Sequence, residues 1–98
     1  MLKVLSLAVV VSALASGPPH LATRDEVLAL AKRDSFKFCT GNHLSCEFSV
    51  SANPEEGWDV FVLQVSTQPD GRKGYPVGGH RIYVYYMDGE LVRVMPGL

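Results

Sequence analysis

The sequence predicts an α+β domain: one N-terminal amphipathic helix packed on a mostly antiparallel sheet of three to five strands. Three observations carry this. The stretch from Thr23 to Asp34 places apolar residues at helical spacing. Beyond Phe36 the period changes to strict alternation. Near the end, GGHRIYVYYMDGELVRV reads as a hairpin turning at Asp88-Gly89.

Thr23 is a good N-cap, and Glu26, three residues on, can reach back to complete a capping box. Asp25 and Glu26 lie at the positive end of the helix dipole. Val27, Leu28, Leu30 and Ala31 share one side, with Lys32 and Arg33 on the other, and the helix ends near Asp34 or Ser35. Such a stripe is read as covering a sheet.

In the alternating region, FKFC and SCEFSV flank the turn-rich TGNHLS and are expected to pair as a short hairpin. Pro54 and Gly57 in ANPEEG interrupt the pattern. WDVFVLQVS follows, with Trp58, Val60 and Val62 on one side and Phe61, Leu63 and Val65 on the other. Apolar residues on both faces predict a central strand or one covered on both sides. Trp58 is expected to be a core anchor beneath the helix. TQPDGRKGYPVGG is a loop, with Pro69-Asp70-Gly71 as its turn signal.

Asp88-Gly89 is the preferred two-residue hairpin turn, and it sets a register. Tyr85 then faces Val92 and Tyr83 faces Val94 on one surface. Tyr86 faces Leu91, Val84 faces Arg93 and Ile82 faces Met95 on the other. Tyrosine opposite a β-branched residue is a stabilising cross-strand pair.

The opening MLKVLSLAVVVSALASG has the layout of a secretory signal peptide: Lys3, an apolar run from Val4, and small residues at Ala13-Leu14-Ala15. The run is too short for the ~20 residues of a membrane-spanning helix. Residues 1–15 are expected to be removed, leaving 16–98 as a single small domain, periplasmic or secreted, with no stable membrane anchor after cleavage. The chain carries 9 basic and 10 acidic residues, and Lys3 leaves with the leader. A near-neutral surface without a cationic run excludes nucleic acid as a natural partner.

The cysteines, Cys39 and Cys46, enclose TGNHLS. An exported chain with two cysteines reads first as a disulfide, joining two adjacent strands or a strand to the turn between them. A redox pair, or a metal site completed by His43, are the alternatives, the latter short of a fourth ligand. No cofactor is implied. The motifs of serine hydrolases, zinc proteases and phosphate-binding loops are missing, and His80 has no nucleophile at useful spacing for a catalytic group with Asp59 or Asp88.

Function is therefore sought on a surface. A single helix covers one sheet face, so the other is left open, and exposed apolar area of that kind marks a protein partner or self-association. The aliphatic set Ile82, Val84, Leu91 and Met95 suits packing under the helix. The tyrosine set suits the wetter face, where hydroxyls stay solvated. The expected partner-binding residues are thus Tyr83, Tyr85, Val92 and Val94, with Arg81 extending their row. If the tyrosines lie beneath the helix instead, the candidate surface becomes Ile82, Val84, Tyr86 and Arg93.

The segments GWDVFVL and YPVGGHRIYVYYMDGELVRVMPG combine a Trp-x-Val strand, Gly78-Gly79 before the next strand, a turn at Asp88-Gly89, Val92 in the last strand, and Gly97 after it. This pattern resembles small bacterial immunity proteins of the nuclear-transport-factor-two-like fold and, more loosely, PepSY-type domains. The resemblance implies a helix ahead of an antiparallel sheet and a non-enzymatic binder of another protein: an immunity protein or a periplasmic hydrolase inhibitor. A small-ligand-binding or accessory domain, with its pocket between helix and sheet, is the alternative.

Overall fold

The computed structural model describes residues 20–97. The expected leader, residues 1–15, lies outside them. Among the described residues one helix, α1 (Arg24–Asp34), precedes five strands: β1 (Leu44–Asn53), β2 (Gly57–Thr67), β3 (Lys73–Gly74), β4 (His80–Tyr86) and β5 (Leu91–Pro96). The sheet order is β1-β2-β4-β5, with β3 pairing the far end of β2. All pairs are antiparallel. This is a small α+β fold, and β2 is its central strand.

α1 begins as its sequence dictates. The Thr23 hydroxyl accepts from the Glu26 N–H at 3.2 Å, and the Glu26 carboxylate accepts from the Thr23 N–H at 2.8 Å. Val27 and Ala31 are fully buried. They pack with Ala22 on a sheet face made by Val60, Val62, Tyr83 and Tyr85, with Phe48, Val50 and Trp58 around the margin. Trp58 is half-buried on that face, so the deep anchor under the helix is its cross-strand partner Tyr85.

Cys39 and Cys46 form a disulfide with Cα atoms 5.4 Å apart. The bridge consumes the thiolates a metal site with His43 would need. The segment before it corrects the hairpin expectation. Ser35–Cys39 continues from the helix as a turn, with the Cys39 N–H donating to Ser35 O at 2.9 Å. The bond therefore ties the helix exit to β1 instead of joining two strands.

The last hairpin departs from the expected two-residue turn. Gly89 N–H donates to Tyr86 O at 2.9 Å and Tyr86 N–H to Glu90 O at 2.8 Å. Only Gly89 of the loop has positive φ, +94°. This is a three-residue loop with its glycine in the left-handed position, not a turn with two such residues. Tyr85 consequently faces Leu91, not Val92. A bulge between Val84 and Tyr85 leaves Val92 as the extra residue and returns the register. The expected pairs Tyr83–Val94, Val84–Arg93 and Ile82–Met95 are observed. Two one-residue shifts cancel.

Candidate functional site

Alternation along each strand and the antiparallel register divide the sheet into two faces. The helix-side face holds Phe48, Val60, Val62, Arg81, Tyr83, Tyr85 and Val94. The expected partner-binding surface is thus largely the covered one. Tyr83 and Tyr85 are 2% and 0% exposed. Arg81 lies over the Phe38 ring at 4.1 Å, closing one end of the core. Val92 is the half-buried bulge residue, and Val94 alone of the set remains substantially open, at 38%.

The reversal has two physical causes. Val27 and Ala31 are short, and the space above the sheet under them admits rings where longer helix residues would not. The Tyr85 hydroxyl also does not need water. It donates to Asp34 Oδ2 at 3.0 Å, at the last residue of α1. The smallness of Ala31 and the position of Asp34 were the signals in the sequence for this placement.

The opposite face carries Phe61, Leu63, His80, Ile82, Val84, Tyr86, Arg93 and Met95. Phe61, Ile82 and Met95 form one row across β2, β4 and β5, continued by Ser49 on β1. Phe61 and Met95 are 39% and 38% exposed. Val84, the next residue along β4 on this face, is fully buried by its neighbours. The Phe61 and His80 rings stack with centroids 5.5 Å apart. β1 borders the patch with Ser45, Glu47, Ser49 and Ser51. At the opposite end Arg93 makes a bidentate pair with Glu56, at 2.8 and 2.7 Å. This pair holds the Glu56 carboxyl below its ordinary range. No described helix covers any of this face.

The polar groups considered for chemistry are dispersed. Asp59 and His80 share the open face, but Asp59 pairs with Val84 and His80 with Leu63, four residues away along β2, or about 13 Å. Asp59 accepts from Asn53 Nδ2 at 2.9 Å. Asp88 is at the far end of β4, in the loop. His20 faces Glu26 at 3.0 Å, and Glu26 is held below the usual carboxylate range by the Thr23 N–H and then by His20. Among the described residues, no group of three or more His, Cys, Asp or Glu is placed to hold a metal.

Concave features lie on the helix side and at the loop end of the sheet, where a depression of about 420 Å³ is lined by Glu55, Glu56, Tyr86 and Met87 among others. On the helix side, a depression of about 450 Å³ is lined by His20, Ala22, Glu26, Leu30, Arg33 and Asp88, and a smaller one of about 230 Å³ by Leu21, Trp58 and Met87 with their neighbours. All three are open to solvent.

No family model, curated protein or solved structure matches the chain. The geometry alone carries the functional argument.

Proposed function

We propose that this chain is an exported, non-enzymatic domain that binds another protein through the open sheet face, acting as an immunity factor or hydrolase inhibitor does. The observation that carries the reading is the uncovered row Phe61–Ile82–Met95, rimmed by polar β1 and the Arg93–Glu56 pair, with Tyr86 exposed farther along β4. An apolar centre inside a polar rim is the anatomy of a protein interface. A flat face of this kind offers no enclosure for a small molecule, whose sites bury most of the ligand. The Cys39–Cys46 bond fits an oxidising compartment. No helix among the described residues is long and apolar enough to cross a membrane.

The rival reading, a small ligand in the depression beside His20 and Arg33, uses the other side of the sheet, so variants separate the two. Immobilised wild type, Phe61→Ser/Met95→Ser, and Leu30→Ser are compared for capture of one mass-identified exported protein. Loss with the first variant and retention with the second supports the proposal. The reverse pattern transfers function to the helix side.

A further inference from the structure

The two edges of the sheet are finished differently. Gln64 N–H donates to Gly79 O and Tyr86 N–H to Glu90 O. Because both backbone groups of a strand residue point the same way, the odd-numbered residues of β4 turn toward β2 and the even-numbered ones toward β5. Ile82–Met95 and Val84–Arg93 are then the hydrogen-bonded pairs, and Val94 directs its N–H and C=O outward. By the same alternation Thr67 N–H donating to His43 O turns the odd residues of β2 toward β1, so Phe48 and Val50 face outward on β1.

On the β1 edge, an Arg24 guanidinium nitrogen donates to the outward Val50 carbonyl. A cation laid on the outward backbone is a device that keeps an edge from pairing with another chain. On β5 the one charged side chain, Arg93, is folded onto Glu56. Among the described residues no side chain bonds the outward backbone of Val94. The strand's side chains stay open on both faces: Leu91 39% and Val94 38% on the helix side, where α1 lies over β1 and β2, and Met95 38% on the other.

We infer that β5 pairs antiparallel with β5 of a second copy, about a two-fold axis at Val94. Charge and backbone chemistry choose that register. An axis at Arg93 would set two guanidinium-bearing residues directly opposite each other. An axis at Met95 would set Val94 against Pro96, which has no N–H to return the bond. An axis at Val94 gives reciprocal Val94 N–H to Val94 C=O bonds and puts Arg93 opposite Met95. The interface is self-complementary, as a two-fold dimer requires. It extends the sheet edge to edge and leaves the Phe61–Ile82–Met95 face open on both copies, so it stands or falls separately from the proposed protein-binding role.

The test is light scattering on the purified chain over a wide concentration range, with site-directed cross-linking. The expected result is a doubled mass that falls to the monomer value in Val94→Lys, with the circular dichroism spectrum unchanged. Under mild oxidation Val94→Cys should cross-link to itself, since directly opposed strand residues lie within disulfide reach. Arg93→Cys should not. A wild-type monomer at every concentration, a dimer indifferent to Val94→Lys, or cross-linking through Arg93→Cys in place of Val94→Cys would overturn the inference. If Val94→Lys unfolds, the cysteine pair decides.

Discussion

The Tyr85 hydroxyl donates to the Asp34 carboxylate at 3.0 Å, joining the middle of the sheet to the end of the helix across 51 residues of sequence. It adds to the burial of Val27 and Ala31 on the same sheet face. Arg33 Nε also donates to Asp34, at 2.9 Å, so the carboxylate stays partnered when the hydroxyl is removed. Tyr85→Phe should therefore keep the fold and cost about 1.5 kcal/mol, the low end for a bond to a charged group. Urea denaturation with an unchanged m-value checks it.

Burial first, and then the bond to Asp34, push the Tyr85 phenol well above its ordinary value of 10.0. The folded state therefore holds the phenolic proton more tightly than the unfolded chain. The stability linked to this group is complete below pH ~10 and is lost as pH rises above it, because only the unfolded state then ionises. Glu56, lowered chiefly by its bond to Arg93, acts with the opposite sign. Its contribution is present above the ordinary carboxylate range and is lost as pH falls through the lowered value. Thermal midpoints in a pH series should fall at both ends, and in Tyr85→Phe the alkaline fall should be shallower.

Gly57 opens β2 with φ +144°, and a Cβ there would lie 2.6 Å from the backbone of Tyr85, Tyr86 and Met87. The obstacle is main chain in the central pair of strands, so it cannot swing aside. Gly57→Ala should destabilise by more than ~1 kcal/mol. Gly71→Ala meets no atom within 4 Å and carries only the cost of its own φ of +89°. Parallel denaturation of the two variants separates backbone collision from backbone conformation.

The Cys39–Cys46 bond closes a short loop between the helix exit and β1. The chain-entropy estimate for such a loop is about 2.5 kcal/mol. Cys39→Ala/Cys46→Ala should lower the thermal midpoint accordingly, and reduction should have no further effect on that variant.

Capping and strand alternation were legible in the sequence, whereas turn type and the sheet face under the helix were not. The capping box at Thr23 and Glu26 and the alternation of β2 follow from neighbouring residues, and both are observed, whereas three pairs of the last hairpin agree only because the longer loop and the bulge offset each other. The face assignment failed because it weighed the tyrosine hydroxyl's affinity for water without a buried partner, and Asp34 lies 51 positions from Tyr85. The loop around Asp88 was misread because Asp-Gly also serves a three-residue turn. The bulge at Val92 that compensates has no sequence signature of its own. The open surface that replaced the tyrosine row, around Ile82, Tyr86 and Arg93, was legible only as the complement of that choice.

The proposed role puts a protein partner on the sheet face opposite the helix. The most direct measurement is methyl NMR on isoleucine- and methionine-labelled chain, with leucine labelled as a control, titrated with the captured exported protein. Shifts or broadening are expected at Ile82 and Met95, with Leu28 and Leu30 unmoved. Perturbation confined to Leu28 and Leu30, with Ile82 and Met95 unchanged, would contradict it.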